Sequence, residues 1–191
     1  WFDEPPNNWE SCFRGSAWEF DEMRGQYYLH SYAVTQADLN WSCPHVLEEV
    51  KEILHFWLRK GVAGFRCDVI NILYKNTLDD GKKQLALTGK EHYLSTPGCH
   101  EILKTLRKEV LDEFNAFAVG ETVFVDLQKA KDLTDPERKE LDMVFPFEHM
   151  ECDQKFVKWF KKELEPEKLM KCLVKWQTGL DWNAVYFENH D

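Results

Sequence analysis

Apolar residues recur along the chain at two spacings, which together predict alternating helices and buried strands. Between Pro44 and Gly61 they fall three or four positions apart, as on one face of an α-helix that is buried against a partner. A second stripe of this kind runs from Thr96 to Phe114. The predicted helices span residues 44–60, 96–114, 126–133, 156–164 and 166–178. Gly61 marks the end of the first one.

Four short apolar runs are too brief for helices and are typical of strands buried on both faces. These runs span residues 62–70, 116–121, 141–145 and 183–187. Alternation of such strands with helices predicts an α/β fold with right-handed connections and a parallel sheet. The first forty residues are aromatic and contain Pro and Gly breakers, with a hairpin edge predicted at residues 26–29.

Four strands of this type fit half of a barrel or most of a doubly wound sheet. Neither a G-x-G-x-x-G motif nor a Walker motif follows any of the predicted strands, which counts against a nucleotide-binding sheet.

Composition excludes several classes of partner. The 191 residues include 24 Lys and Arg against 34 Asp and Glu, a formal net charge of −10. Such a negative field repels phosphate backbones and anionic lipid, so we expect neither nucleic acid nor a membrane as a partner.

None of the six cysteines has the C-x-x-C spacing, and we expect reduced thiols in a cytoplasmic protein. The chain has no initiating Met, and we expect it to be an internal piece of a longer protein.

Charged residues gather where the predicted strands end. Arg66 and Asp68 end the first run on the same side of the pleat, Glu121 ends the second, and His190 and Asp191 follow the fourth. The carboxyl ends of parallel strands meet at one edge, so three carboxylates are expected to converge there. Each also has a simpler explanation: a carboxylate as a helix cap, an Arg66–Asp68 ion pair, or a histidine in a loop.

The amino-acid sequences of these segments resemble a known family. Residues 64–71 (GFRCDVIN), 119–121 (VGE) and 189–191 (NHD) resemble, in order and spacing, three conserved regions of the α-amylase family, family 13 of the glycoside hydrolases. Residues 36–40 (QADLN) are similar to the Gln-Pro-Asp-Leu-Asn stretch of the oligo-1,6-glucosidase subfamily. Further likeness extends over nearly the whole chain.

This resemblance implies a parallel (β/α)8 TIM barrel, of which the chain would hold roughly strands 4 to 7. Residues 1–41 would then be the end of the subdomain inserted after barrel strand 3, and residues 42–191 a partial catalytic barrel. A barrel closes by pairing its first and last strands, so we expect an isolated part of one to fold poorly.

The resemblance also implies roles for individual residues in a retaining α-glucosidase. Asp68 would be the nucleophile that forms a covalent glycosyl-enzyme intermediate, and Glu121 the general acid/base. Asp191 would be the third carboxylate, which grips sugar hydroxyls, with Arg66 and His190 beside the substrate. A retaining glycosidase needs two carboxyl groups about 5–5.5 Å apart. Arg66 would keep Asp68 ionised, whereas Glu121 must be protonated at rest.

Substrate preference rests on Val69, Phe145 and Phe147. In this family Val directly after the nucleophile is associated with cleavage of α-1,6 links, so we expect removal of terminal glucose from short oligosaccharides. The two phenylalanines would wall the sugar pocket or, equally, fill the core. Phosphotrehalases and sucrose-active relatives share much of this sequence pattern, so the resemblance does not single out one sugar.

A second class of function stays open. Catalytically silent relatives serve as binding or structural subunits, like the heavy chains of amino-acid transporters, but those tend to have lost catalytic residues. The presence of all three carboxylates favours an enzyme. We expect no cofactor and no metal, because the His and Cys pairs lack a carboxylate at ligand spacing and the acidic calcium loop of some relatives has no counterpart in this sequence.

Overall fold

The computed structural model describes residues 4–84, 87–155 and 160–189. The chain divides into two compact units. The first comprises Trp1–Val50 and Ile72–Cys99, and the second comprises Lys51–Asn71 and His100–Asp191.

The first unit contains an antiparallel hairpin and a small aromatic core. Strands β1 (Trp18–Asp21) and β2 (Gln26–Leu29) pair with Trp18 opposite Leu29, which confirms the predicted hairpin edge. Trp9 is buried and packs against the rings of His92 and Tyr93. Because two of these rings come from a segment distant in sequence, they join the two stretches of chain that make up this unit.

The second unit is built on a parallel sheet of three strands in its described part. Strands β3 (Gly64–Cys67), β4 (Phe117–Glu121) and β5 (Met143–Phe145) lie in the order β3-β4-β5. Both pairings are parallel, which confirms the first three predicted strands and their direction. In the middle of this sheet Ala118 and Val144 are almost fully buried, as expected for strands covered on both faces.

In the described part of the chain, four α-helices lie where their apolar spacing predicts them. They are α1 (Pro44–Arg59), α2 (Pro97–Leu106), α3 (Leu127–Thr134) and α4 (Pro166–Gly179). Asp126 caps α3 by accepting a hydrogen bond from the Lys129 amide. The second helical stripe reaches Phe114 as predicted, but it continues past α2 as a π-helical turn and then a 3-10 turn. In α1, Leu58 is buried, whereas Ile53 and Trp57 on the predicted buried face are exposed.

Buried charge ties the helical layer to the start of β5. Arg107 in the π-helical turn is buried, and its guanidinium donates to the Ala116 carbonyl and to Asp142. Glu140 is fully buried and accepts hydrogen bonds from Arg138 and His100. A buried ion is tolerated only when its partners are in place, so these contacts fix the entry into β5.

The predicted fourth strand at residues 183–187 is wrong, because that segment forms no strand. Its Tyr186 carbonyl accepts a hydrogen bond from the His149 ring, and the Tyr186 hydroxyl donates to the Pro146 carbonyl. Val185 and Phe187 are exposed. Apolar alternation produces a strand only where a neighbouring backbone offers a ladder, and here side chains hold the segment instead.

The helix predicted over residues 156–164 is also wrong in its described part. Residues 156–159 lie outside the described residues, and 160–164 are not helical. Phe160 and Lys162 pair through their backbones with Lys155 and Asp153, which is an antiparallel exchange that replaces i→i+4 bonds. Backbone pairing with the segment just before it therefore overrides the helical spacing of these residues.

Candidate active site

The register of the parallel sheet places the two predicted catalytic carboxylates side by side. Cys67 at the end of β3 lies opposite Gly120 in β4, so the next residues, Asp68 and Glu121, are neighbours across the two strands. Glu121 in turn lies opposite Phe145, the last residue of β5. All three positions are at the carboxyl edge of the sheet, where parallel α/β folds bind their ligands.

Arg66 joins the two carboxylates. Its Nη1 donates to Asp68 Oδ1, and its Nη2 donates to Glu121 Oε2 at 2.7 Å. The Asp68 side chain is 74% exposed, whereas that of Glu121 is 8% exposed. The simple Arg66–Asp68 ion pair considered from the sequence is therefore present, but it is part of a three-residue cluster.

The surroundings of Glu121 favour its protonated form. Burial raises the pKa of this carboxyl, and a hydrogen bond with Asp68 raises it further. The backbone amide of Val69, which donates to Glu121 Oε2 at 3.2 Å, and the charge of Arg66 oppose that shift in pKa. A carboxyl–carboxyl hydrogen bond requires a proton on one partner, and the buried Glu121 is the group whose pKa is raised.

Val69 contributes its backbone to the cluster in an unusual conformation. Its φ is +38°, in the left-handed region that a β-branched residue rarely adopts. This turn of the chain directs the Val69 amide toward Glu121 immediately after Asp68. Strained residues of this kind persist where surrounding contacts determine the backbone, and they concentrate at functional sites.

Phe145 and Phe147 lie together at the end of β5, and both are half-buried. Their rings meet Tyr186 edge to face, with centroids 5.6 Å and 6.4 Å from that of the tyrosine. The sequence left open whether they line a pocket or fill the core. The partial exposure of both rings, and the position of Phe145 opposite Glu121, suit the wall of a site, and the shared contact with Tyr186 also gives both rings a packing role.

Two predicted site residues, His190 and Asp191, lie outside the described residues. Two residues without a role predicted from the sequence contribute here, Tyr186 and Asn71, and Val69 contributes its backbone amide in addition to the side chain named above. Asn71 is fully buried and bonds to the backbone of Val123. A signal for it was present in the sequence, because an amide side chain between Ile70 and Ile72 must find buried partners.

In the described part of the chain, no group of three or more His, Cys, Asp or Glu side chains is arranged to hold a metal ion. Its helices also include none that is both long and apolar enough to cross a membrane.

Comparison with known proteins identifies the family. Residues 2–191 match the model of the α-amylase catalytic domain. The chain is 46% identical to the oligo-1,6-glucosidase of Parageobacillus thermoglucosidasius over 194 aligned residues, which cover 97% of this chain and 34% of that protein. It thus spans about a third of the length of the curated relatives that it matches.

Solved structures agree with the sequence relatives. The crystal structure of Bacillus licheniformis trehalose-6-phosphate hydrolase superimposes with a TM-score of 0.91 at 43% identity, covering 98% of this chain and 34% of that one. A trehalulose synthase variant in complex with Tris superimposes with a TM-score of 0.86 at 34% identity, covering 97% and 34%. With a parallel sheet of the same kind and a family match over nearly its full length, the chain belongs to the α-amylase family, family 13 of the glycoside hydrolases.

Proposed function

We propose that the full-length protein is a retaining α-glucosidase that hydrolyses terminal α-glucosidic bonds, mainly α-1,6 bonds, of short oligosaccharides. The observation that carries this proposal is the hydrogen-bonded pair of Asp68 and Glu121 beneath one arginine at the carboxyl edge of a parallel sheet. Two carboxyl groups in different protonation states at one site are what retaining glycoside hydrolysis requires.

Asp68 acts as the nucleophile. Its carboxylate is exposed, so a sugar can approach it, and the charge of Arg66 favours its ionised form. Attack on the anomeric carbon forms the glycosyl-enzyme bond as the glycosidic bond breaks and the leaving oxygen takes a proton. Water then cleaves the intermediate and returns Asp68 to its carboxylate form.

Glu121 supplies and recovers that proton. Burial and the neighbouring Asp68 hold the pKa of Glu121 above its usual value, which favours the protonated form that the first step needs. It then removes a proton from the attacking water in the second step. The two carboxyls, now in direct contact, must separate to about 5–5.5 Å when a glycosidic bond lies between them.

The remaining site residues act on the sugar. By their match to the family pattern, His190 and the third carboxylate Asp191 bind hydroxyl groups of the glucose ring, together with Arg66. The Val69 side chain favours α-1,6 links, and Phe145 and Phe147 wall the acceptor side. The substrate is a neutral oligosaccharide, so the acidic chain does not oppose its binding, and we infer no cofactor.

A wider architecture accompanies this function. We infer that residues 42–191 belong to a catalytic (β/α)8 barrel, in which β3, β4 and β5 take strand positions 4 to 6 and the segment 183–187, which forms no strand in this structure, corresponds to position 7. Residues 1–41 end the subdomain inserted after strand 3. The exposed apolar residues of α1 and the position of β3 and β5 at the sheet edges support further barrel structure in the full-length protein. The six unbridged cysteines support a reducing, cytoplasmic environment.

A second candidate has support from the comparisons. A trehalose-6-phosphate hydrolase and a trehalulose synthase are similar to this chain over nearly its whole length. The second candidate function is therefore hydrolysis of phosphorylated trehalose, or turnover of sucrose, by the same two carboxylates.

The deciding experiment assays the full-length protein on isomaltose, maltose, sucrose and trehalose 6-phosphate. We expect isomaltose to be cleaved with the highest kcat/KM. Asp68→Asn is expected to abolish turnover while the melting temperature changes little, because the Asp68 side chain is exposed. Substantial activity in Asp68→Asn would refute its role as the nucleophile, and a wild-type protein inactive on all four sugars would favour a silent relative.

A further inference from the structure

The three residues after Asp68 each contact the end of β4 or the residues that follow it. The Val69 amide donates to Glu121 Oε2 at 3.2 Å. Ile70 packs directly on Gly120, since a Cβ added to that glycine would lie 2.8 Å from Ile70 Cγ2. Asn71 bonds to Val123, two residues beyond Glu121. We call residues 69–71 the clasp.

Asn71 makes the strongest of these contacts. Its Nδ2 donates to the Val123 carbonyl at 2.8 Å, and its Oδ1 accepts from the Val123 amide at 3.1 Å. The two bonds satisfy both backbone polar groups of Val123, as a neighbouring strand would. They also fix which end of the side-chain amide faces which group, because only Nδ2 can donate to a carbonyl. Asn71 is fully buried, so water cannot replace either bond.

The clasp closes a ring around the catalytic pair. From Asp68 the chain runs to Asn71, crosses by hydrogen bonds to Val123, and returns along the backbone to Glu121, which is itself held by the Val69 amide. Two contacts therefore tie the backbone that follows Asp68 to the chain around Glu121, one at Glu121 itself and one at Val123. Neither contact involves the substrate.

We propose that Asn71 is a positioning residue that holds the acid/base Glu121 in register with the nucleophile Asp68. The inference rests on the proposed function, because it assigns Asn71 a task in the same reaction. Without the Asn71 bonds, the segment after Glu121 is released from the loop after Asp68, and the proton of Glu121 is no longer aimed at the leaving oxygen. A displacement of about 1 Å in a reacting group costs about 100-fold in rate.

A misaligned acid has a signature that a loss of folding stability does not produce. An unactivated sugar needs a proton as it leaves, whereas 2,4-dinitrophenolate leaves without one. Formation of the glycosyl-enzyme from 2,4-dinitrophenyl α-glucoside therefore depends on Asp68 but hardly on Glu121. The ratio of kcat/KM for isomaltose to kcat/KM for this glucoside measures how well the acid is placed.

The experiment compares Asn71→Ala with the wild-type full-length protein. We expect kcat/KM for isomaltose to fall about 100-fold. For the dinitrophenyl glucoside we expect a fall of less than about fivefold, since that step needs no general acid. With the dinitrophenyl glucoside, azide, which attacks the glycosyl-enzyme without a base, is expected to restore part of any loss in kcat that arises in the second step. If Asn71→Ala yields too little folded protein, Asn71→Ser, which keeps one hydrogen-bonding group, is measured in the same way.

The matched control is Asn7→Ala. Asn7 is also a buried amide, which donates to the Leu78 carbonyl and accepts from the Trp9 amide and the Trp18 indole, all within the first unit. It is expected to lower the melting temperature and leave the substrate ratio unchanged. An Asn71 variant that loses the same factor on both substrates, or loses nothing, overturns the positioning role. A wild-type protein that cleaves neither substrate refutes the proposed function itself.

Discussion

Arg66→Met removes the one positive charge seen to bridge Asp68 and Glu121 in the described site, and the expected result is a shift in the pH dependence of catalysis. The charge of Arg66 lowers the pKa of Glu121, in opposition to burial and Asp68. Without this charge the pKa of Glu121 rises. Glu121 must be protonated to act as an acid, so the basic limb of the kcat/KM profile moves to higher pH.

The magnitude follows from the geometry. Arg66 Nη2 lies 2.7 Å from Glu121 Oε2, which puts the two charge centres about 4 Å apart. Unit charges at that separation interact by about 1 kcal/mol in water and about 4 kcal/mol at an effective dielectric constant of 20. The Arg66 side chain is 37% exposed, so solvent screening favours the lower end of this range. We expect a shift of about one pH unit, equivalent to about 1.4 kcal/mol.

The assay measures kcat/KM against pH with isomaltose, whose leaving sugar needs the proton of Glu121, for the wild type, Arg66→Met and Arg66→Lys. The lysine variant keeps the charge but loses the two-pronged geometry. It is expected to be slower with its basic limb close to the wild-type position. If Arg66→Met is slow but the basic limb of its pH profile does not move, Arg66 acts only by positioning the two carboxyl groups, and the electrostatic reasoning is refuted.

Two further substitutions test the neighbourhood of the pair. Val69→Thr keeps the β-branched shape at φ +38° but replaces a methyl group by a hydroxyl. The ratio of kcat/KM for isomaltose to kcat/KM for maltose is expected to fall about tenfold. An unchanged ratio would show that Val69 is not the basis of the linkage preference. Gly120→Ala places a Cβ 2.6 Å from Leu141 Cδ1 and 2.8 Å from Ile70 Cγ2, so overpacking is expected to lower the free energy of unfolding by about 1–3 kcal/mol in denaturant titrations. A wild-type unfolding midpoint for that variant would mean that the neighbours of Gly120 move aside freely.

Much of the helical structure follows from local pattern. The stripes of α1 and α2 and the cap at Asp126 are properties of a few neighbouring residues, and each helix begins within about two residues of its predicted start. The failures lie where a partner outside the local pattern decides. Residues 160–164 have helical spacing but exchange backbone bonds with residues 153–155, and Tyr186 in the predicted fourth strand is held by the His149 ring.

The candidate site divides in the same way. The identities of Arg66, Asp68 and Glu121 and their places at strand ends are visible in the sequence. Their mutual contacts are not, because they depend on β3 and β4 pairing in one particular register. A slip of one residue would move Asp68 away from Glu121 and reverse the faces of the strand.

The sequence by itself determined the residue types of the candidate site and the family to which the chain belongs, since residue types and their order are written along the chain. Only the tertiary structure decided that Glu121 is buried while Asp68 is exposed, that Val69 adopts a positive φ, and that Asn71 closes the ring between their two loops. The physical reason is that burial, pKa and hydrogen-bond partners belong to pairs of residues that are far apart in sequence. Their free energies are set by packing, which no local pattern encodes.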